Sequence, residues 1–352
     1  FTHTPGKVKN NENGDTAVDH YHRYEEDIEL MANINLNSYR FSLAWTRIIP
    51  AGIGKINPKG VDFYSRLIDK CLEKNIEPFI TLYHWDLPQS LQDKGGWANR
   101  DITNIFSDYS EAIVKNFGDR CNHFITFNEP QVFTIHGYVD GYMAPGYKDL
   151  EKYFASIHNV NVAHGKAFQA MKSSKDKIKI GCSFNMAPCI PATKSSEDLH
   201  ATKLFDTYWN RSFADPMYLG KYPELLIDDV SKHIQQDDMK AIFQKNDFIG
   251  REGLISHKEK GHQNQFVTLH VKDTEDADAI GGNPIYNNGR LIGRATSGRY
   301  GFRVGFSIAL AMVEPEFADI GTNLEIDILG KNYLAEVIEE SPFDPKNARL
   351  KA

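Results

Sequence analysis

Hydrophobic and polar positions alternate in two different ways along the chain. From Asn37 to about Gly181, short apolar runs are separated by segments whose apolar residues fall on one helical face. Strands separated by helices in this way usually form a parallel sheet with the helices outside it. The pattern therefore predicts an α/β barrel. The predicted strands are Asn37 to Leu43, Pro78 to Tyr83, His123 to Phe127 and Ile178 to Ser183.

The segments between these strands are predicted to be helices because their apolar residues recur at helical spacing. Gly118 follows one of them directly and is expected to cap it. A further helix is predicted from about Tyr153 to Lys172. The inward faces are expected to be Tyr64, Leu67, Ile68, Cys71 and Leu72, then Ile102, Ile105, Phe106, Tyr109 and Ile113, then Ile157, Val160, His164, Ala167, Phe168 and Met171.

After Gly250 the helical period stops and short alternating strands replace it. Asn287-Asn288-Gly289 lies between two of them and is typical of a tight hairpin, because the turn needs residues that tolerate positive φ. This part of the chain is predicted to be a small all-β, barrel-like module. The predicted strands are Phe266 to Val271, Pro284 to Tyr286, Leu291 to Thr296 and Leu324 to Leu329.

Length and composition allow two modules, which we place at residues 1–250 and 251–352 of the 352-residue chain. Apolar residues make up 41% and charged residues 25%, as in ordinary globular proteins. A formal charge of -7 argues against a nucleic-acid partner, which a basic patch would favour. The sequence has no apolar run long enough to span a bilayer and no export leader, so a cytoplasmic, membrane-free protein is expected. The four cysteines are expected to be reduced, mostly buried thiols.

Polar side chains lie at the carboxyl ends of the predicted strands. In a parallel α/β barrel, the reactive side chains are found at this end of the strands. Asn128 and Glu129 end the third strand, and Pro130 stops it. His84 and Trp85 end the second strand. An imidazole beside an indole suits a sugar, whose hydroxyl groups form hydrogen bonds and whose C–H face packs on an aromatic ring.

Arg40 lies on the first strand and points to the face opposite Tyr39, Phe41 and Leu43, because side chains alternate along a strand. An unpaired charge inside a barrel is costly. We therefore expect Arg40 to meet a carboxylate from another strand.

These blocks, in this order and spacing, resemble glycoside hydrolase family 1, the family of retaining β-glucosidases. The resemblance covers about the first 250 residues and implies a (β/α)8 barrel. It rests on Phe1-Thr2-His3-Thr4-Pro5-Gly6-Lys7-Val8, Asp19-His20-Tyr21-His22-Arg23-Tyr24, Tyr39-Arg40-Phe41-Ser42, His84-Trp85-Asp86-Leu87-Pro88 and Thr126-Phe127-Asn128-Glu129-Pro130.

The resemblance implies a role for each matching residue. Glu129 would be the general acid/base, and Arg40 would orient the nucleophile. Asn128 and His84 would bind the sugar in the cleavage subsite, which Trp85 would line. The implied substrate is a small β-glycoside or disaccharide with a terminal glucosyl or galactosyl residue, and no cofactor or metal is implied.

A retaining glycosidase needs two carboxyl groups about 5 to 5.5 Å apart, one as acid/base and one as nucleophile. In the family the nucleophile is a glutamate in a Thr-Glu-Asn-Gly-like block, and no such block occurs between Gly250 and Ala352. The family's first strand and late tryptophan-rich loop also have no counterpart. The sequence therefore predicts an incomplete barrel with impaired hydrolysis. Glu252 and Glu259 are the nearest alternative carboxylates.

The rear of the chain has its own resemblance, to the C-terminal β-barrel of aminomethyltransferases and of dimethylglycine and sarcosine dehydrogenases. Asp247-Phe248-Ile249-Gly250 fits both families, so the two parts are expected to join there. The resemblance rests on Phe248-Ile249-Gly250-Arg251-Glu252, Gly281-Gly282-Asn283-Pro284-Ile285-Tyr286, Gly293-Arg294-Ala295-Thr296-Ser297-Gly298, Gly321-Thr322-Asn323-Leu324 and Pro342-Phe343-Asp344-Pro345.

Other functions stay open beside the glycosidase. One is a folate-linked one-carbon protein, although that family's main folate-binding region precedes the barrel and has no match here. Another is a sugar binder that does not cleave its ligand. The spacing of His20 and His22 does not favour a metal site, and acidic pairs such as Asp237 and Asp238 are expected to be solvated helix caps. The motifs leave open the preferred sugar, recognition of a 6-phosphate and the oligomeric state.

Overall fold

The fold is described from a computed structural model. It describes residues 1–243, 253, 255–256, 259, 261, 263–275, 277–340 and 342–343. The chain divides into two compact units, each described by itself. The first unit comprises Phe1–Pro191 with Ser195–Ile249, and the second comprises Ala192–Lys194 with Gly250–Ala352.

The first unit is built on a parallel sheet in the order β1-β2-β3-β4. Each strand pairs with its neighbour in the chain, and helices intervene, so the predicted α/β arrangement is confirmed. Each observed strand lies within two residues of its predicted bounds. The strands are β1 (Ser38–Ser42), β2 (Glu77–Tyr83), β3 (His123–Asn128) and β4 (Lys179–Ser183).

Helices precede β1, connect the strands and follow β4. They are α1 (His20–Asn33), α2 (Trp45–Ile48), α3 (Pro58–Glu73), α4 (Gln89–Gln92), α5 (Ile102–Phe117), α6 (Pro130–Tyr138), α7 (Leu150–Ser174), α8 (Ser196–Phe205), α9 (Ser212–Leu219), α10 (Glu224–Ser231) and α11 (Asp238–Ile242). A π-helix (Asp206–Arg211) joins α8 to α9, and short 3₁₀ turns occur at Lys9–Asn11, Gly96–Ala98 and Pro315–Phe317.

Local signals in the sequence explain where the long helices begin. Asn57 accepts a hydrogen bond from the Lys59 backbone N–H at 3.2 Å, and Pro58 occupies the first helical position of α3. Asp149 caps α7 in the same way through the Lys152 N–H at 3.0 Å. The predicted inward faces of α3 and α5 are largely buried. Apolar burial on this side of the sheet therefore holds the strands in place.

Aromatic rings fill the space between the sheet and the helices. The Trp45 indole stacks on the Tyr109 ring with 4.4 Å between centroids, and Phe106 stacks on Phe127 at 4.5 Å. All four side chains are fully buried. Because Phe127 directly precedes Asn128, this packing fixes the carboxyl end of β3, where the polar residues of interest lie.

A buried polar network ties α11 to α7, and it corrects the expectation that Asp238 is a solvated cap. The side chain of Asp238 is 5% exposed and pairs with Arg100 and with His158 Nε2, the latter at 2.8 Å. His158 Nδ1 in turn lies 2.9 Å from the Tyr222 hydroxyl. Asp237 behaves as predicted, with 61% of its side chain exposed. The two neighbours differ because the helix turns one of them towards the core.

The strands of the second unit form a closed antiparallel barrel in the order β10-β5-β8-β7-β6-β9. The predicted strands are present, and β8 and β10 are additional. β8 is almost continuously apolar in sequence, so its alternation shows only in the structure, where every second side chain is buried. The strands are β5 (Gln265–Val271), β6 (Pro284–Asn287), β7 (Arg290–Gly301), β8 (Phe306–Val313), β9 (Asn323–Ile328) and β10 (Lys331–Ile338).

The barrel has its own apolar core, made of alternate residues from each strand, such as Val267, Leu269 and Val271 on β5. Asn288 and Gly289 have φ values of 49° and 77° and form the tight turn between β6 and β7, as predicted. All four cysteines are free thiols, with Cys71 and Cys121 buried. Within the described part of the chain, no helix has the length and apolar character that crossing a bilayer requires.

Candidate active site

An open cavity of 640 Å³ lies in the first unit at the carboxyl ends of the parallel strands. All five residues that the sequence singled out for a site line it. Parallel strands that end at the same edge of a sheet bring the residues that follow them together. The lining residues are His20, Tyr39, Arg40, Phe41, Ser42, Thr81, His84, Trp85, Asn128 and Glu129.

Glu129 is held at the rim of this cavity by an unusual backbone conformation. It has φ 47° and ψ 64°, a left-handed conformation that is uncommon for a residue with a side chain. Its backbone N–H donates to the Ser183 carbonyl oxygen on β4 at 2.7 Å, and Pro130 starts α6 immediately afterwards. The chain thus turns sharply between strand and helix, and this turn leaves the half-buried carboxylate beside the cavity.

Trp85 joins the end of β2 to the end of β3. Its backbone φ is 79°, and its indole Nε1–H donates to the Asn128 carbonyl oxygen at 2.9 Å. The His84 ring meets the Trp85 ring edge-on, with 5.1 Å between centroids. One hydrogen bond between the residue pair that follows β2 and the last residue of β3 therefore holds the indole and the imidazole beside Asn128 and Glu129.

The electrostatic surroundings favour a neutral imidazole at His84. Partial burial lowers its pKa below 6.5, and the positive charge of Arg40 lowers it further, whereas Glu129 acts in the opposite direction. At neutral pH the ring therefore offers one N–H donor and one acceptor nitrogen. This pair of functions suits a sugar hydroxyl, which also donates and accepts.

The expectation that Arg40 meets a carboxylate is wrong for the residues that the structure describes. Its Nε donates to Thr81 Oγ1 at 3.0 Å and its Nη1 to Ser183 Oγ at 3.2 Å, while Nη2 bonds to Asn128 Oδ1. Arg40 is exposed in the cavity, so water replaces the counter-ion that a fully buried guanidinium would need. Its contacts nevertheless span all four strands of the sheet.

The sequence reasoning missed other residues of the cavity. Ser42 and Thr81 lie on the same sheet face as Arg40, so strand alternation combined with the register would have found them. His20 comes from α1, where its Nδ1 lies 2.5 Å from Asp27 Oδ2 and its Nε2 lies 3.4 Å from the Tyr39 hydroxyl. No local pattern links this helix to the strand ends, so only the fold reveals the contribution of His20.

Other carboxylates and possible metal ligands contribute little to this cavity. Among the described residues, Glu129 is the one carboxylate that lines it. Glu259 is exposed, and Glu252 and the string Asp247 to Gly250 lie outside the described part. His22 pairs with Asp19 at 2.7 Å on the surface, and no described cluster of three potential ligands could hold a metal ion.

The structure brings an acid/base candidate, an aromatic wall and several hydrogen-bonding side chains to one cavity. Comparison with known proteins identifies relatives of this chain. The family model for "Glycosyl hydrolase family 1" matches residues 1–318. A 1,4-beta-D-glucan glucohydrolase of Thermotoga neapolitana is 47% identical over 264 residues, which are 74% of this chain and 62% of that protein.

Beta-glucosidase A of Thermotoga maritima is 44% identical over 261 residues, which are 73% of this chain and 58% of that protein. A solved structure of the Thermotoga maritima family 1 β-glucosidase has a TM-score of 0.66 and 46% identity, covering 69% of this chain and 55% of that one. Another, in complex with deoxynojirimycin, has a TM-score of 0.66 and 45% identity, with coverage of 69% and 56%. The chain thus spans about three fifths of the length of these relatives, and it belongs to glycosyl hydrolase family 1.

Proposed function

We propose that residues 1–250 carry the sugar-binding and proton-transferring part of a retaining β-glucosidase. The observation that carries this proposal is the convergence of His84, Trp85, Asn128 and Glu129 on one cavity. Separate strands deliver these residues, so neighbouring sequence positions alone do not explain their proximity. Their chemistry matches a neutral, hydroxyl-rich ligand.

In the double displacement of a retaining β-glucosidase, a nucleophilic carboxylate attacks the anomeric carbon while the acid/base, here Glu129, protonates the departing glycosidic oxygen. Glu129 then takes a proton from the water that displaces the sugar from that carboxylate. The Asn128 side-chain carbonyl oxygen accepts from Arg40, which leaves the Asn128 amide N–H groups to donate to a sugar hydroxyl. His84 adds a second hydrogen-bonding partner, and Trp85 packs against the C–H face of the sugar. The proposed substrates are small β-glucosides and β-galactosides.

The proposal includes a weak or absent first displacement, the step in which the nucleophile replaces the aglycone on the sugar. A retaining enzyme needs a nucleophilic carboxylate as well as the acid/base. The family's Thr-Glu-Asn-Gly-like block has no match in this sequence. We therefore expect sugar binding with strongly impaired hydrolysis.

Release of nitrophenol from 4-nitrophenyl β-glucoside tests the proposal, with the unaltered chain compared to its Glu129→Gln variant. Glu77→Gln is the matched control, because Glu77 lies at the start of β2 and pairs with His123 outside the cavity. Turnover that Glu129→Gln abolishes and Glu77→Gln preserves would establish a working site. Turnover unaffected by Glu129→Gln would refute the assigned acid/base role.

The sugar-binding part of the proposal is tested by a calorimetric titration with glucose. Saturable binding without turnover would identify a sugar binder that no longer cleaves its ligand, and loss of binding in His84→Ala would place the sugar in the cavity. Absence of both binding and turnover in a folded sample would overturn the proposed function.

For the second unit we propose a relationship to the C-terminal barrel of aminomethyltransferases. The support is that the Gly-Gly-Asn-Pro-Ile-Tyr block leads into β6, and the Gly-Arg-Ala-Thr-Ser-Gly block lies within β7 of a closed barrel. A titration with tetrahydrofolate tests a folate-linked role, and absence of heat above the dilution control would remove it.

The join near Asp247 to Gly250 is proposed to be a recombination or assembly point between two genes. The string fits both family patterns, although it lies outside the described residues. Amplifying codons 240 to 260 from source DNA tests this hypothesis, which fails if one unbroken reading frame is recovered.

A further inference from the structure

The cavity contains a positive charge that the described residues do not neutralise. Arg40 is exposed there and donates only to neutral oxygens, those of Thr81, Ser183 and Asn128. No described carboxylate comes within ion-pair distance of it. Asp27, the acidic group behind His20, is already paired with that imidazole at 2.5 Å. The guanidinium therefore keeps its full charge facing solvent inside a concave site.

Unused donors surround this charge. A guanidinium has five N–H groups, and the three bonds described for Arg40 leave two without a described partner. The Ser42 hydroxyl and the His84 imidazole line the same cavity. Glu129 is the opposing charge, and it lies beyond ion-pair distance from Arg40, so the guanidinium side of the cavity stays electropositive.

We propose that the Arg40 side of the cavity is a binding site for a small monovalent carboxylate, such as formate or acetate. A planar guanidinium matches a carboxylate with two parallel hydrogen bonds, and such charge-assisted bonds are about twice as strong as neutral ones. Neutral ligands would leave the charge of Arg40 without a partner. This site requires no glycoside and no turnover, so it does not depend on the proposed function.

The experiment uses the full chain and trifluoroacetate as the probe, observed by fluorine NMR at pH 7.5 and constant ionic strength. The buffer contains no other carboxylate. Constant ionic strength matters because salt screens exposed charges. We expect saturable binding with a Kd on the order of 10 mM, as for one or two charge-assisted hydrogen bonds at an open site. Formate should displace the probe, and absence of saturable binding overturns the proposal.

Variants then locate the site. Arg40→Gln should weaken binding by about tenfold or more, because it removes both the positive charge and the pair of parallel N–H donors of the guanidinium. Lys179→Gln is the control, because Lys179 is an exposed cation at the amino end of β4 and does not line the cavity, so its loss should change Kd by less than about twofold. Equal losses in both variants would show unspecific charge attraction and refute the site.

Glu129→Gln gives an independent test that does not require an Arg40 variant to fold. The variant removes the negative charge of the one described carboxylate that lines the cavity, and this charge repels a bound anion. Binding should therefore tighten several-fold. An unchanged Kd would place the anion outside the cavity and overturn the proposal even if the chain binds carboxylates elsewhere.

Discussion

Replacing Asp238 with asparagine is the sharpest test of what holds the first unit together. Asp238 is the first residue of α11, and its side chain is 5% exposed. Its carboxylate accepts hydrogen bonds from Arg100, from His158 Nε2 at 2.8 Å and from the Gln235 backbone N–H at 2.7 Å. The asparagine side chain would keep the volume but lose the charge and present an amide N–H group to one of these donors.

The magnitude follows from the burial of the partners. Breaking a buried ion pair by removing one charge costs about 3 to 5 kcal/mol. The Arg100 side chain is 27% exposed, so water recovers part of that loss. Asparagine also retains one acceptor oxygen, and each hydrogen bond to a charged group contributes about 1.5 to 3 kcal/mol. We therefore expect Asp238→Asn to lower the free energy of unfolding by about 2 to 3 kcal/mol.

Tryptophan fluorescence during urea unfolding measures this change in the first unit alone. All four tryptophans belong to that unit, namely Trp45, Trp85, Trp97 and Trp209. Asp237→Asn is the matched control, since its exposed pair with Lys240 should contribute at most about 0.5 kcal/mol. The reasoning is refuted if the two variants unfold at the same urea concentration with the same slope.

Three further predictions concern single groups. Burial lowers the pKa of His158 below 6.5 despite its carboxylate partner. The neutral imidazole therefore contributes its full stability above pH 6.5, and this contribution is lost as the pH falls through the lowered pKa. The difference between the unfolding free energies at pH 7.5 and pH 5 should be smaller in His158→Gln than in the unaltered chain. Gly165→Ala would place a Cβ 2.0 Å from a carbonyl oxygen of α11, so the free energy of unfolding measured in urea should fall by about 1 to 3 kcal/mol. Gly14→Ala is the control, because the space around Gly14 is open and the free energy of unfolding should change little. Proton NMR should show a pKa below 6.5 for His84. Arg40→Gln should raise this pKa, because the variant removes a neighbouring positive charge. A lower His84 pKa in Arg40→Gln would contradict the electrostatics described for the cavity.

The strands of both units were predictable where their patterns were simple. In the first unit each strand is a short apolar run between polar segments, and local composition is sufficient to locate it. β10 was missed because Lys331, Asn332 and Glu336 interrupt its apolar positions, although Tyr333, Ala335 and Val337 are buried in the barrel. β10 pairs with both β9 and β5 when the barrel closes, and the hydrogen bonds of these two pairings stabilise it as a strand. The local sequence pattern contains no sign of these pairings.

The polar partners in the first unit were harder to predict than its strands. The pairing of Arg40 with neutral oxygens depends on which strands lie beside β1 and on how far its side chain is exposed. The contrast between Asp237 and Asp238 depends on one helix being placed against another. Neither distance nor burial is encoded in the spacing of charged residues along the chain.

By itself, the sequence determined the alternation of strands and helices in the first unit, the change to short strands after Gly250, and the order of the polar residues at the strand ends. These features follow from side-chain periodicity and from turn residues, which act over a few positions. Only the tertiary structure decided that His20 joins the cavity, that Glu129 adopts a left-handed turn beside β4, and that the charge of Arg40 faces solvent. Those outcomes depend on contacts between residues distant in the chain, where packing and hydrogen bonding across strands set the distances.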